Sequence, residues 1–250
     1  MQAEPRIAVI IPAYNEQASI GRVVKAARDA LPAAEVLVVD DASTDATARR
    51  ARAAGARTLV HSSNRGKGAA MRSGLAKTQA DVIVFLDADL PKLSAPHVRK
   101  LVQPVSSQKA DASIAFFENK AFQGFTKMVY EPLVSIAFPE CSAMKLKSPL
   151  SGQRAYSRKL LRALGSPGHG YGAEAVANIR LALAKPKPRV RQVNWGMLET
   201  IPKGAGKKRS YELMEAILSE AQRHGCRELI LKSTYRQVVE DVQYAAKKLL

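Results

Sequence analysis

The chain has 250 residues, 46% of them hydrophobic and only 6% aromatic, with a formal net charge of +17. That length fits one large domain, or one domain with a small appendage, around an aliphatic core. No apolar run approaches the roughly 18–20 residues that span a bilayer.

The first hundred residues alternate strand and helix patterns. Ile7–Ile11 is a short apolar, β-rich run. Gln17–Leu31 is an amphipathic helix, with Ile20, Val23, Val24 and Ala27 at helical spacing. Glu35–Val39 is a second strand, Asp45–Ala54 a helix stopped by Gly55, and Arg57–Val60 a third strand. Gly66–Thr78 is a helix and Asp81–Leu86 a fourth strand. Continuously apolar strands separated by helices predict a parallel sheet covered on both faces, a doubly wound α/β arrangement. The second half is less regular. Asp111–Phe116 reads as a strand, and Phe122–Phe138 as a helix with a kink or boundary at Pro132. Lys147–Tyr156 reads as an extended segment and Gly165–Gly172 as a glycine-rich loop. A helix follows over Ala173–Ala184, then a last strand over Arg189–Trp195. Ser210–His224 and Arg227–Leu250 are predicted terminal helices behind a basic loop at Lys203–Lys208.

In doubly wound sheets ligands bind beyond the carboxyl ends of the strands. Three polar clusters stand there: Pro12-Ala13-Tyr14-Asn15-Glu16, Asp40-Asp41-Ala42-Ser43-Thr44-Asp45 and Asp87-Ala88-Asp89. Gathering carboxylates at one edge is costly unless a cation or hydrogen bonds compensate. Asp87 and Asp89 point the same way if extended, and their hard oxygens suit Mg²⁺ or Mn²⁺. The bound ion would neutralise a departing nucleoside diphosphate. The competing reading is a turn capped by both aspartates. Ser43 or Thr44 is expected to cap the helix that starts near Asp45. Asp41 is assigned to the N–H of a nucleotide base, and Tyr14 to the base or ribose face or to a hydrophobic gap. Asn64–Ala70 opens a helix with Gly66, Lys67 and Gly68, an arrangement that favours anions. It has neither the Gly-x4-Gly-Lys-Ser/Thr nor the Gly-x-Gly-x-x-Gly spacing.

Together, Ile11–Glu16, Val39–Asp45, Asn64–Gly68 and Phe85–Asp89 resemble, in order and spacing, the nucleotide-binding half of family 2-type glycosyltransferases with the GT-A fold. The resemblance covers about the first 100 residues. It implies nucleotide-sugar contact by Pro12, Ala13, Tyr14, Glu16, Asp41, Ser43, Lys67, Asp87, Ala88 and Asp89, with Asp87 and Asp89 as metal ligands. The second half is similar to a narrower group, the glucosyl-3-phosphoglycerate synthases, through Glu131-Pro132-Leu133, Phe138-Pro139-Glu140, Pro149–Gln153 and Gly170–Glu174. That similarity implies acceptor contact at Ser151 and Gly152 and a catalytic-site position for Glu174 beside Asp89. Two positions depart from the group's pattern. Its acceptor-phosphate arginine falls near Gly124, and its metal-ligating histidine near Thr200. Arg154 or Lys127 would replace the phosphate contact. Glu174 also fits a plainer role, a carboxylate in the first turn of a helix. His169 reads as a solvated loop histidine.

The expected activity is transfer of a hexose, glucose from UDP-glucose, to a small phosphorylated or hydroxylated acceptor, with Mg²⁺ or Mn²⁺ as cofactor. The resemblance divides the chain into a nucleotide-sugar-binding half at 1–104, an acceptor and catalytic half of the same domain at 105–202, and a basic loop with C-terminal helices at 203–250. Two alternatives remain: a lipid acceptor reached by peripheral contact with an anionic membrane, and a non-catalytic nucleotide-sugar or nucleic-acid binding module. The charge itself attracts nucleic acid, anionic lipid and phosphorylated small molecules alike. Nucleic acid is disfavoured, because the basic stretches Lys185–Arg191 and Lys203–Arg209 lack interleaved aromatics or zinc-finger spacing. A homodimer is compatible with the sequence, which does not fix the oligomeric state. Cys141 and Cys226 are expected to be buried free thiols in a reducing cytosol. Met1–Arg6 lacks the layout of a signal peptide, so a cytoplasmic location is expected.

Overall fold

Ile7–Ala13 is so uniformly apolar that its strand, β1, has no face suited to water. It lies inside the sheet, paired in parallel with β2 (Glu35–Asp40) on one side and β4 (Val82–Phe85) on the other. β3 (Arg57–Val60) adds to β2, also in parallel. The computed structural model describes residues 4–90, 92–118, 126, 130–197 and 207–225, with only the backbone at Ile136, Ala143, Tyr171 and 207–210. Among these residues the sheet has seven strands in the order β3-β2-β1-β4-β6-β5-β7, where β5 is Ala112–Phe116, β6 is Arg154–Ser157 and β7 is Val190–Asn194. The sheet is therefore mostly parallel. β6 alone runs against its neighbours β4 and β5.

Alternate side chains of β1 feed two cores, as the pleat requires. Val9, Ile11 and Ala13 pack with helices α1 (Ile20–Ala30), α2 (Thr47–Ala53) and α4 (Ala95–Ser106). Ala8 and Ile10 pack with α3 (Lys67–Ala76) and α7 (Arg158–Leu164). Helix α3 comes unusually close, because a Cβ at Gly74 would stand 2.5 Å from Ile10 Cγ2. A third apolar cluster joins α5 (Glu131–Ala137), α6 (Pro139–Ala143), α8 (Ala173–Leu183) and α9 (Lys207–Arg223) through Leu133, Phe138, Ile179 and Ile217. Each of these buried side chains contributes about 1.5–3 kcal/mol by burial. Cys141 belongs to this cluster, and burial pushes its thiol up to about 12. Cys226 lies outside the described residues. Among the described residues no helix is long and apolar enough to cross a membrane.

Several expectations change. Helix α4 was not anticipated: Pro96 and Pro104 obscure its period. The structure resolves this by placing one proline in the first turn, behind a Ser94–His97 capping box, and the other in the last turn. Helices α6 and α7 were likewise missed. Pro132 lies in the first turn of α5, in keeping with a boundary there, where its missing N–H has no intrahelical partner to lose; residues 122–125 and 127–129 of the expected helix lie outside the described residues. The expected extended segment at Lys147–Tyr156 is strand only from Arg154. The residues before it turn, with Ser151 N–H donating to Ser148 O at 3.0 Å. The predicted helix over Arg227–Leu250 lies outside the described residues.

Candidate active site

The antiparallel β6 decides which residues meet at the sheet edge. Its register sets Arg154 opposite Phe85, so the residues just before β6 run beside the residues just after β4. Asp87 consequently lies between Gly152 and Gln153. The Gln153 amide brackets it: Asp87 N–H donates to Oε1 at 2.9 Å, and Nε2 donates to Asp87 Oδ2 at 2.6 Å. The other carboxylate oxygen, Oδ1, is 2.6 Å from Lys67 Nζ. A Cβ at Gly152 would stand 2.5 Å from both Asp87 oxygens and 2.7 Å from Lys67 Nζ, so only glycine leaves room for this pair.

Lys67 is the first residue of α3, and its ammonium also donates to Glu174 Oε1 at 2.6 Å. Glu174 sits in the first turn of α8 and is 6% exposed. The lysine thus bridges two carboxylates that are far apart in the chain. Burial alone would push its pKa down, but Asp87 and Glu174 outweigh that and hold it above the usual lysine range. Backbone contacts seat the two helix starts together. The loop 168–170 packs on Gly66 and Gly68, so side chains at these glycines would meet its backbone.

The β1–β2 side of the edge is a lattice of local bonds. Asn15 Oδ1 accepts from Thr44 N–H at 2.9 Å, and Ser43 Oγ accepts from Asn15 N–H at 2.9 Å. Ser43 Oγ also donates to Asp40 Oδ1. These bonds lock the turn after β1 to the turn after β2. Tyr14 projects from the lattice, 46% exposed, beside the β1 end formed by Pro12 and Ala13. Glu16 is buried, and its backbone N–H donates to Thr47 Oγ1 at 2.7 Å. Ala88 is buried in the core between the two aspartates.

Three expected roles are corrected. Neither Ser43 nor Thr44 caps α2; Asp45 Oδ1 instead accepts from Thr47 N–H at 2.9 Å. Arg154, expected at the acceptor, has a buried guanidinium turned onto its own loop and α8. Nε donates to Ser151 O at 2.7 Å, Nη1 to Asn178 Oδ1 at 2.8 Å and Nη2 to Pro149 O at 2.6 Å. Asp41 is 3% exposed, and its carboxylate accepts from His61 and from the N–H groups of Arg65 and Gly66. It therefore clamps a loop where a base contact was expected. His169 is exposed, in keeping with the solvated reading. Gly124, Lys127, Thr200 and most of the basic loop Lys203–Arg209 lie outside the described residues. Gln153 and His61 were given no role from sequence, since neither stands in a local pattern that distinguishes it from any loop residue.

The donor set suits a divalent ion. Asp87 keeps a quarter of its side chain exposed at the sheet edge, with Asp89 two residues on. Among the described residues no group of three or more His, Cys, Asp or Glu forms an all-protein cage. Mg²⁺ is commonly held in this way, through one or two carboxylates plus substrate phosphates.

Comparison with known proteins bears on this geometry. The family model of glycosyl transferase family 2 matches residues 8–164. Glucosyl-3-phosphoglycerate synthase of Mycobacterium tuberculosis is 30% identical over 219 residues, covering 73% of this chain and 67% of the relative. The synthase of the same name from Petrotoga mobilis is 25% identical over 260 residues, covering 94% of this chain and 79% of the relative. The crystal structure of the M. tuberculosis enzyme with Mn²⁺, uridine diphosphate and phosphoglyceric acid superposes with a TM-score of 0.77 at 30% identity, covering 87% of this chain and 78% of that one.

Proposed function

This chain belongs to glycosyl transferase family 2, and on that premise we propose that it moves glucose from UDP-glucose to a small phosphorylated acceptor such as a phosphoglycerate. One observation carries the reading: Lys67 joins Asp87 to Glu174 at the sheet edge, 2.6 Å from each. Donor and acceptor machinery from the two halves of the chain, 1–104 and 105–202, thereby meet at one ammonium.

Asp87 and Asp89 are the residues that would hold Mg²⁺ or Mn²⁺. When bound, that ion supplies charge stabilisation to the departing diphosphate. Gln153 fixes Asp87 at two points, Oε1 on its backbone N–H and Nε2 on its carboxylate, so the ligand is oriented before any donor arrives. Lys67 brings a permanent positive charge to the same place, where developing negative charge on a diphosphate oxygen would be stabilised without reorganisation. Pro12, Ala13, Tyr14, Glu16 and Ser43 form the nucleotide side, with Tyr14 offering its ring to the base or ribose. Ser151 and Gly152 line the acceptor side, and Glu174 stands between acceptor and donor sugar. The transfer either retains or inverts the sugar's configuration, and inversion would make Glu174 the base. NMR assignment of the product anomer separates the two.

The test is calorimetric titration of UDP-glucose and GDP-glucose with Mn²⁺, on wild type and Asp89→Ala. Metal-dependent binding of UDP-glucose that Asp89→Ala abolishes is the expected result. Absence of binding by wild type would overturn the proposal.

A lipid acceptor is the second reading. Exposed Arg22, Lys25, Arg28, Arg49, Arg50 and Arg52 crowd α1 and α2, with Asp29 paired to Lys25 among them. Co-sedimentation with anionic vesicles at about 0.15 M salt would support it, and its absence would remove it.

A further inference from the structure

Beyond the lysine–carboxylate cluster, the described residues hold a buried histidine that none of the steps above uses. His61 follows β3, is 9% exposed and donates its backbone N–H to Asp40 O at 2.9 Å. Its ring connects two other elements. Nδ1 lies 2.6 Å from Asp41 Oδ1, and Nε2 lies 2.9 Å from Ser73 Oγ on α3. The same Asp41 carboxylate accepts from Arg65 N–H, at 3.0 and 3.1 Å from its two oxygens, and from Gly66 N–H at 2.7 Å. An ionised carboxylate only accepts, so Nδ1 carries the proton, and in the neutral ring the Ser73 hydroxyl donates to Nε2. A carboxylate has about four lone-pair sites. Three donors, His61, Arg65 and Gly66, already engage both of its oxygens, with the Arg65 N–H shared between the two.

This arrangement has a direction. Ser73, inside α3, orients the imidazole; the imidazole holds Asp41; and Asp41 pins the two amides just before Lys67. Asp41 N–H also donates to Ala13 O at 2.8 Å, which ties the clamp to the end of β1 behind Tyr14. Gly66 sits at φ +83°, a conformation that the two bonds on its own and the preceding amide help to hold.

We propose that His61 is a positioning residue for the donor nucleotide: braced by Ser73, it fixes the Asp41 clamp and with it the loop that delivers Lys67 and one wall of the nucleotide pocket. The proposal rests on the donor reading above. His61 touches neither metal ligand nor sugar, and the Lys67 ammonium is also held by Asp87 and Glu174 at 2.6 Å each, so loss of His61 acts on donor binding and spares the transfer step.

The test compares wild type with His61→Leu, His61→Asn and Ser73→Ala. UDP affinity is read by calorimetry with Mn²⁺, turnover by steady-state kinetics, and the loop by amide exchange at residues 64–67. His61→Leu should weaken UDP binding and raise donor KM by about tenfold, the size of one lost charge-assisted hydrogen bond. It should leave kcat and acceptor KM within about twofold and speed exchange at Arg65 and Gly66. His61→Asn, whose amide can still donate to Asp41, should recover most of the affinity. Ser73→Ala should move the same quantities in the same direction by a few-fold, and it carries the test should His61→Leu fail to fold. Unchanged UDP affinity in folded variants, beside a wild type that binds, would overturn this inference alone. An equal rise in donor and acceptor KM would overturn it as well. A wild type that binds no UDP would overturn the donor reading and this inference with it.

Discussion

A methyl group at Gly152 would collide with both oxygens of Asp87 and with the Lys67 ammonium. Gly152→Ala therefore forces the pair apart by a large fraction of an ångström. Misplacement of about 1 Å can cost roughly 100-fold in rate, so kcat/KM should fall by about that factor while the thermal midpoint barely moves. Arg154 makes the opposite case. Truncation to Met strands the Ser151 carbonyl and Asn178 Oδ1, leaves Pro149 O only its bond from Asn178 Nδ2, and should destabilise the fold by about 3 kcal/mol or more in urea titration. A contrary result, normal stability with a raised acceptor KM, would restore Arg154 to the acceptor site. The contrast shows what local sequence carries. The Asp87-Ala88-Asp89 triplet is legible because its chemistry sits within three residues. Arg154 looks just as functional on paper, but whether a guanidinium faces a substrate or its own loop is decided by Pro149 and Asn178, which the fold brings to it. The Lys67–Glu174 bridge is invisible for the same reason: its members lie 107 residues apart.

The elements of the first half are legible because each strand is short, apolar and punctuated by a helix period. Those of the second half are not. β6 has only four residues, and its direction is set by the turn that delivers it, where Ser151 N–H donates to Ser148 O. Within the turn after β2, Ala42 adopts φ +63°, a left-handed conformation unfavourable for a residue with a Cβ. Relief of about 1–2 kcal/mol is offset by the greater freedom of glycine in the unfolded chain, so Ala42→Gly should stabilise by about 0.5–1 kcal/mol in chemical denaturation. Helix α9 is fastened to α8 by Glu220, whose oxygens accept from Arg180 Nε at 2.6 Å and Nη2 at 3.0 Å. Desolvation would lift the Glu220 carboxyl, but Arg180, with Arg223 and His224, draws it below the usual glutamate range. A depressed carboxyl pKa stabilises the fold above the unfolded value, about 4.3, and that contribution fades as pH falls through the folded value. Acidification below about pH 4 should therefore loosen α9 first, seen as faster amide exchange in 211–223, and Glu220→Gln should abolish this pH dependence.

For the molecule as a whole, a formal charge of +17 creates a field that draws anionic donors inward. Stopped-flow association of UDP-glucose should slow several-fold between about 0.1 M and about 1 M salt, as the screening length contracts from about 10 Å to about 3 Å. The order of the strands has a consequence for biosynthesis. Among the described residues, β1, β2 and β3 find their sheet partners within the first four strands and β4 finds one of its two there, whereas β5 pairs only with β6 and β7, both of which follow it in the chain. Synthesis at about 5–20 residues per second leaves a strand without a neighbour for roughly 2–8 s while the next 40 or so residues are made. For that interval the nascent chain is a half-finished sheet with β4 as its open margin and a short, apolar β5 beyond it. The edge that sets Asp87 beside Gln153 comes into being only when the reversed strand β6 enters between β4 and β5.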